Sequence, residues 1–241
     1  MRKANFTYLT WRLVPEKIHF LFLLAHYDVD LEDNYIGMPI ESNNENIFDM
    51  FDSTLDRYNY SKSMIDKLQD GKQKLLNQRL LPFHSLKKWD DEWAKKQKLE
   101  LENTAELASY KYSAPDYGYM KACMNSHYII VWDSIHYIED KTALIFTEKT
   151  WIPIFCGKPI LFMYRPGALQ KFKSHGYKSW PMIFDESYDK IESTEERLNM
   201  IAKQVYDLDI NANSAYFHKA GVNCEWNKLW SWKRNAKSAI Y

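Results

Sequence analysis

The sequence predicts an α/β protein with a Rossmann-like parallel sheet, and residues 143–189 carry the strongest signal for that fold class. A polar run at residues 147–149 leads into an apolar helix, which Gly157 ends. A continuous apolar strand at residues 159–164 follows, and a Pro-Gly turn leads into a second helix at residues 168–175. Helix, strand, turn and helix in this order form half of a doubly wound sheet.

The N-terminal residues predict a further unit of strand, loop and helix. Residues 5–10 alternate and are rich in β-forming side chains, and Pro15 suits the first turn of a helix that continues through residues 16–27. A short second strand is expected within residues 31–39. Ligands of doubly wound sheets bind where strands end and helices begin, so Arg12, in the first such loop, is a candidate for binding an anion.

Residues 41–113 have a different character and predict a helical insertion or cap within one α/β domain of residues 1–241. Helical patterns are expected at residues 47–55 and 62–76. The charged run at residues 87–96 is interpreted as a solvated helix face, and an acceptor-binding arm is the alternative.

The rest of the chain predicts one more strand and several helices. Residues 115–127 favour a helix, and residues 128–132 favour a buried strand. An amphipathic helix is expected at residues 194–208 with Ser193 as its N-cap, and one or two helices are expected within residues 212–241.

The composition excludes several classes of protein. The chain has 32 basic and 32 acidic side chains, so no overall field recruits nucleic acid or a membrane surface. Its three cysteines, Cys123, Cys156 and Cys224, lack the spacing of a zinc site or a disulfide framework, and neither a metal nor a cofactor is expected. The strongest N-terminal apolar run, residues 18–25, is too short to span a membrane, which predicts a cytoplasmic protein.

The polar start of the apolar helix carries the clearest chemical signal. Lys149 adds a positive charge to the N–H groups of a helix N-terminus, where a phosphate can bind, and Glu148 can accept hydrogen bonds from a ribose hydroxyl. Their alternatives are an exposed lysine and an acid that stabilises the helix dipole. Thr147 is the expected N-cap, although Pro153 favours a helix that begins nearer Thr150. The pattern indicates a nucleotide or nucleotide-sugar site.

The same segment resembles the donor-binding half of α1,3-fucosyltransferase-type GT-B glycosyltransferases. The similarity lies in the Thr-Glu-Lys motif of residues 146–151 and in the Gly-Lys-Pro-Ile strand start at residues 157–160. Short glycosyltransferase-like proteins of tailed bacteriophages are similar over a longer stretch. They share the TEKT segment, the Pro-Gly turn at residues 166–167, an HGYKSW-like segment at residues 175–180 and the DESYD segment at residues 185–189.

This resemblance implies roles for single residues. Lys149 would bind the β-phosphate of a nucleoside-diphosphate sugar, and Glu148 would bind hydroxyls of its sugar or ribose. Asp133 and Ser134 stand where the fucosyltransferases have Glu-Asn, so they imply a donor contact, with strand-end capping as the alternative. Arg12 matches an arginine of the first loop in the phage proteins.

Further candidates follow the predicted strand at residues 159–164. Arg165 lies at its carboxyl end and is expected to face the cleft. Asp185, Glu186 and Asp189 could be catalytic or could fix a helix start or loop; GT-B enzymes generally work without a bound metal. The candidate set has Lys149, Glu148 and Asp133 as catalytic residues and Arg12, Thr147, Glu148, Lys149, Ser134 and Arg165 as donor-binding residues.

The sequence therefore predicts a metal-independent glycosyltransferase that moves a sugar from a nucleoside-diphosphate donor to a hydroxyl. In a phage-type protein the acceptor could be a hydroxymethylated DNA base or a glycan. A basic, aromatic C-terminal set could line a DNA groove, with core packing as the alternative. That set is Trp226, Lys228, Trp230, Trp232, Lys233, Arg234 and Lys237.

The general base has no clear counterpart, because the resemblance covers one of the two Rossmann-like halves of a GT-B enzyme. Two alternatives therefore stand beside a complete transferase. The chain could be a non-catalytic module that binds a nucleotide sugar or glycan. It could also be one subunit of a composite transferase, formed with a second copy or with another protein.

Overall fold

The computed structural model describes residues 4–9, 14–31, 34–37, 51–52, 54–55, 57–77, 114–132, 146–211 and 214–238. Within these residues the chain forms a four-stranded parallel sheet, eight α-helices and a 3-10 helix, which confirms the predicted α/β class. The strands are β1 (Ala4–Leu9), β2 (Tyr35–Gly37), β3 (Ser126–Val131) and β4 (Ile160–Phe162). The α-helices are α1 (Pro15–His26), α2 (Lys62–Asn77), α3 (Ala114–Met124), α4 (Glu148–Phe155), α5 (Ala168–Ser174), α6 (Thr194–Asn211), α7 (Ser214–His218) and α8 (Gly221–Ser238), and the 3-10 helix is Glu186–Lys190.

The strand order in the sheet is β2, β1, β3, β4, and all neighbours are parallel. One row of paired residues crosses the whole sheet, from Tyr35 through Thr7 and Ile129 to Ile160. The chain leaves β1 toward β2 on one side and later returns to place β3 on the other side. The direction of winding thus changes between β1 and β3, and crevices form at the carboxyl ends of strands at such points.

The central strands are buried on both faces, as parallel sheets normally are. Residues 128–131 of β3 are all buried, which explains their unbroken apolar sequence. The two polar side chains between β1 and β3 satisfy each other, since Thr7 Oγ1 and Ser126 Oγ lie 2.6 Å apart. Ser126 Oγ also donates to Ala122 O at 2.9 Å, so these buried polar groups are paired.

Helix α2 packs along α1 at very short range. The buried residues of α2 are Met64, Leu68, Gly71 and Leu75, which lie on one face of the helix. A Cβ atom at Gly71 would lie only 1.9 Å from the Phe22 carbonyl oxygen. The glycine therefore allows this helix crossing, although it weakens the helical pattern in the sequence.

Helix α2 runs in the same direction as α1. Before α2 begins, Tyr60 Oη lies 3.0 Å from His19 Nδ1 in the first half of α1. Near the end of α2, Lys74 Nζ lies 2.8 Å from Asp28 Oδ1, just beyond α1. Since α1 starts at the carboxyl edge of the sheet, the α2 N-terminus points toward that edge as well.

Helix α6 shares this direction. At its start, Glu195 Oε2 accepts a hydrogen bond of 2.8 Å from the backbone N–H of Ser61, immediately before α2. At its end, Asp209 Oδ2 accepts one of 3.2 Å from Asp30 N, which follows α1. The N-termini of α1, α2 and α6 therefore lie toward the same edge of the sheet.

Several predicted boundaries differ from the observed ones. Helix α4 begins at Glu148 and not near Thr150, while β3 begins at Ser126, two residues earlier than predicted. Helix α6 continues to Asn211. Much of the predicted insertion at residues 41–113, including its charged run, lies outside the described residues. No described helix has the length and apolar content needed to cross a membrane.

Candidate functional site

The start of α4 has the cap that the sequence predicts. Thr147 is the N-cap, with an extended backbone (φ −103°, ψ −171°), and its Oγ1 accepts a hydrogen bond of 3.4 Å from Lys149 N. This hydroxyl satisfies one of the N–H groups that a helix start leaves without a helical partner. Glu148 and Lys149 therefore occupy the first turn of α4.

Glu148 and Lys149 form an ion pair in that turn. Lys149 Nζ lies 2.6 Å from Glu148 Oε1. The lysine side chain is 6% exposed, whereas that of the glutamate is 42% exposed. Burial raises the pKa of Glu148, but the hydrogen bond and charge of Lys149 outweigh it, so this pKa lies below its ordinary value. A buried ammonium group is thus held beside a helix N-terminus by one half-exposed carboxylate.

A proline and a tyrosine fix the backbone at Lys149. Pro153 lies inside α4 and has no N–H, so it cannot make the helical hydrogen bond to the carbonyl of Lys149. The buried Tyr119 of α3 donates to that carbonyl instead, with Oη 2.9 Å from Lys149 O. The proline in the sequence implies that the carbonyl of Lys149 lacks a helical hydrogen-bond donor. The sequence does not show which distant side chain donates to that carbonyl instead.

Aromatic packing fixes the chain where it enters α4. Trp151 Nε1 donates to Phe146 O at 3.1 Å. The ring of Phe146 lies 5.8 Å, between centroids, from the rings of both Phe162 and Phe172. The Thr-Glu-Lys motif is therefore held between β4 and α5 on one side and its own helix on the other.

The Thr-Glu-Lys motif lies at the carboxyl edge of the sheet, which is where ligands of doubly wound sheets bind. Helix α4 follows β3, and α1 follows β1, so both helix starts lie at the point where the winding changes. The structure brings together Thr147, Glu148 and Lys149 from the candidate set. Arg12, Asp133 and Ser134 lie outside the described residues, and their predicted roles remain predictions.

A histidine near the start of α1 lies in the core. His19 is 0% exposed, its Nδ1 is 3.0 Å from Tyr60 Oη, and the rings of Phe51, Tyr58 and Tyr60 pack against it. Burial lowers its pKa to about 4, so the ring is neutral at pH 7. This environment indicates a packing role for His19.

The DESYD segment fixes the loop that follows β4. Asp189 Oδ1 and Oδ2 accept hydrogen bonds of 2.9 Å each from Leu169 N and Gln170 N at the start of α5. Its backbone carbonyl also accepts from Gly167 N at 2.8 Å. Asp189 is thus a cap for a helix twenty residues earlier in the chain, a role the local sequence does not reveal.

The other two acids of this segment have similar tasks. Glu186 accepts hydrogen bonds from Trp180 N at 2.9 Å and Ser179 Oγ at 3.0 Å, and it pairs with Lys173 Nζ at 2.7 Å. Asp185 Oδ1 caps the 3-10 helix by accepting from Ser187 N at 3.0 Å. The loop-fixing alternative, left open by the sequence, accounts for all of these contacts.

Arg165 lies at the next strand end along the sheet. It is in the turn between β4 and α5, half-buried, with its guanidinium 5.9 Å from the ring centroid of Tyr164. The turn itself is closed by the hydrogen bond between Gly167 and Asp189. Arg165 therefore belongs to the Asp189-capped turn, one strand away from the start of the helix that carries Lys149.

The C-terminal tryptophans hold α8 against the preceding loop. Trp226 Nε1 donates to Gly176 O at 3.2 Å, and Trp230 Nε1 donates to His175 O at 2.8 Å. The two indoles stack with centroids 6.2 Å apart. These contacts favour packing over the predicted DNA groove for these two residues. The side chains of Trp232, Lys233, Arg234 and Lys237 lie outside the described part of the structure.

Among the side chains that the structure describes, no three His, Cys, Asp or Glu residues are grouped so that they could hold a metal ion. Comparisons with models of known protein families, with curated proteins and with solved structures found no match to this chain.

Proposed function

We propose that this protein is a metal-independent, GT-B-like glycosyltransferase that binds a nucleoside-diphosphate sugar at the carboxyl edge of its sheet and transfers the sugar to a hydroxyl. The acceptor in this proposal is a hydroxymethylated DNA base or a glycan. The described part of the chain corresponds to the Rossmann-like donor half. The observation that carries the proposal is the buried Lys149 ammonium, which lies at the start of α4 beside the point where the winding of the sheet changes.

The charge arrangement suits a diphosphate. A buried ammonium group is costly unless an anion is near, and here Glu148 is the anion at 2.6 Å. A diphosphate can replace that carboxylate as the partner of Lys149 and also accept from the N–H groups of the helix start. In sugar transfer the same ammonium would stabilise the charge that develops on the leaving β-phosphate.

Glu148 is placed to take a second role when the diphosphate binds. Its side chain is 42% exposed, so it can leave Lys149 without losing contact with solvent. A carboxylate released in this way can accept hydrogen bonds from the hydroxyls of the ribose or of the transferred sugar. The contact between Glu148 and Lys149 would then be replaced by two contacts with the donor, from Lys149 to the diphosphate and from Glu148 to the hydroxyls.

A second candidate is a non-catalytic nucleotide-sugar module or one subunit of a composite transferase. The observation favouring it concerns the general base that a transferase needs. Asp185, Glu186 and Asp189, the first acids that follow the candidate site in the sequence, are all engaged in hydrogen bonds that fix loops and helix starts. In this version the base comes from another chain, or no transfer takes place.

Calorimetry with UDP, GDP, CMP and their common sugar conjugates tests the donor site. Lys149→Met keeps the apolar stem of the side chain and removes the charge; Lys171→Met, at an exposed position of α5, is the matched control. We expect one nucleotide sugar to bind, with an affinity lowered about 10- to 100-fold by Lys149→Met, since a hydrogen bond to a charged group contributes roughly 1.5–3 kcal/mol. Lys171→Met should bind like the wild type.

The outcome also separates the two candidates. If the folded wild type binds none of these ligands, the donor-site proposal is wrong. If a nucleotide sugar binds, the same protein is incubated with it and with hydroxymethylated DNA or glycan acceptors. Sugar incorporation into an acceptor supports the transferase, whereas binding without transfer or donor consumption favours the module or subunit.

A further inference from the structure

The ends of α3 and α4 lie against each other. Lys158, just beyond α4, donates from Nζ to the carbonyl of Met124, the last residue of α3, at 3.0 Å. One turn earlier on α3, the carbonyl of Met120 lies 3.7 Å from Sγ of Cys156, the C-cap of α4. Helical side chains point back over the preceding turn, so the side chain of Cys123 lies beside the same Met120 carbonyl. These contacts bring the thiols of Cys123 and Cys156 together.

The two thiols are hydrogen-bonded to each other but differ in exposure. Cys123 is 0% exposed, whereas Cys156 is partly exposed. Burial raises the pKa of the Cys123 thiol well above its ordinary value, so this thiol is protonated at neutral pH. A reagent in solution therefore reaches Cys156 first, and Cys123 is the neighbour that can react with the product.

We propose that Cys123 and Cys156 form a redox-active pair, which a small disulfide such as glutathione disulfide converts to an intramolecular disulfide. Cys156 loses its proton and attacks one sulfur of glutathione disulfide, whose S–S bond breaks and releases one glutathione thiolate. Cys123 then loses its proton and attacks Cys156 Sγ, which releases the second thiolate. Two protein thiols are thus oxidised, and one glutathione disulfide is reduced to two glutathione molecules, which take up the two protons.

The pair lies on the two helices that fix the backbone of Lys149. Tyr119, one turn before Cys123 on α3, donates from Oη to Lys149 O at 2.9 Å. A disulfide between Cys123 and Cys156 would join α3 to α4 beside this contact. The inference does not depend on the nucleotide-sugar proposal, because neither thiol belongs to that site and the test follows only the chemistry of sulfur.

Mass spectrometry of the full chain tests the pair. The reduced protein is incubated with millimolar glutathione disulfide, freed of it, weighed, and then unfolded and treated with iodoacetamide. We expect the wild type to lose the mass of two hydrogens, to be alkylated only at Cys224, and to yield a peptide that joins Cys123 to Cys156. Cys224 is the internal control, because this buried thiol has Trp180 Nε1 as its hydrogen-bond donor, at 3.3 Å.

Single substitutions separate the two steps. Cys123→Ala removes the second attacking thiol, so the reaction should stop at a mixed disulfide with one glutathione bound to Cys156. Cys156→Ala removes the thiol that reacts first and should leave Cys123 free. Cys224→Ala is the matched control and should form the disulfide like the wild type.

Circular dichroism confirms that each variant folds, and Cys123→Val replaces Cys123→Ala if the alanine variant is unfolded. The peptide map of the wild type needs no variant. A folded wild type that keeps its three free thiols, a disulfide that includes Cys224, or a folded Cys123→Ala that takes up no glutathione would each overturn the inference. The oxidised wild type should also melt about 5 °C above the reduced protein. An oxidised form that melts no higher would overturn the joining of α3 to α4.

Discussion

The starts of α4 and α5 use the same kind of position in different ways. Both helices follow a strand of the sheet, β3 for α4 and β4 for α5. The α5 start has Gly167 as its N-cap, in the left-handed region at φ 81°. The carboxylate of Asp189 accepts hydrogen bonds from two N–H groups of the first turn of α5. The α4 start has the Thr147 hydroxyl as its cap and presents the Glu148–Lys149 pair.

The difference separates a structural helix start from a candidate binding site. At α5 the anion is built into the fold and is 9% exposed, so a ligand would have to replace a contact that holds the loop. At α4 the anion is a half-exposed carboxylate on the helix itself, which a ligand can replace without unfolding a loop. Acidic residues near a strand end therefore indicate function only when their partners are known. The following predictions test this contrast.

The largest effect is expected at α5. Asp189→Ala removes two charge-assisted hydrogen bonds and should lower the free energy of unfolding by about 3 kcal/mol. Asp185→Ala is the control in the same segment, because this exposed side chain makes one capping bond to Ser187, and about 1 kcal/mol is expected. Urea unfolding measures both. Similar losses in the two variants would mean that Asp189 is not the main cap of α5.

A smaller effect is expected where Tyr119 holds the backbone of α4. Tyr119→Phe leaves the Lys149 carbonyl without its donor and should lower the free energy of unfolding by about 1–2 kcal/mol. Pro153→Ala restores an N–H one helical turn from that carbonyl. In a Pro153→Ala background the Tyr119→Phe loss should therefore be clearly smaller. A loss of the same size in both backgrounds would show that the freed carbonyl is not its cause.

A still smaller stability effect is expected at Lys149. Lys149→Met keeps the buried stem and leaves Glu148 half exposed, so the free energy of unfolding should fall by at most about 1 kcal/mol. Thermal unfolding without ligand measures this effect. A loss as large as that of Asp189→Ala would place Lys149 among the structural residues and remove the contrast between the two helix starts.

The smallest effect concerns the acid side of the pH range. Because the pKa of Glu148 is lower in the folded state than its ordinary value of 4.5, its stabilisation is fully present above that value. It is lost as the pH falls through the folded-state pKa. The melting temperature of Glu148→Gln should thus differ from that of the wild type at neutral pH and approach it below pH 4.5. A difference that stays constant with pH would argue against the ion pair.

Local sequence patterns predicted the elements better than their contacts. The periods of apolar residues located the four strands and the main helices, and the Thr-Glu-Lys order predicted Thr147 as the N-cap, which is confirmed. The hydrogen bond from Tyr119 to Lys149 joins residues thirty positions apart, so no local pattern contains it. The early start of β3 at Ser126 reflects pairing with β1, including the hydroxyl contact to Thr7, and that register depends on tertiary structure.

For the candidate site, the sequence predicted which residues lie at the start of α4. It did not predict that the Lys149 side chain is buried and paired with Glu148. A first-turn lysine at a helix N-terminus is normally unfavourable and is expected to point into solvent. Here Lys149 is buried, since Glu148 lies beside it and the Tyr119 contact fixes the backbone beneath it. The role of Asp189 was equally hidden, because its partners precede it by about twenty residues.

The common direction of α1, α2 and α6 affects how a charged ligand would approach the protein. The chain has no formal net charge, so it exerts little long-range attraction on an anion. The partial positive charges of helix N-termini act only over short distances. An anionic ligand would therefore reach the carboxyl edge of the sheet by unassisted diffusion and be attracted only on arrival. Its association rate should change little with ionic strength, and selection among ligands should occur mainly through their dissociation rates.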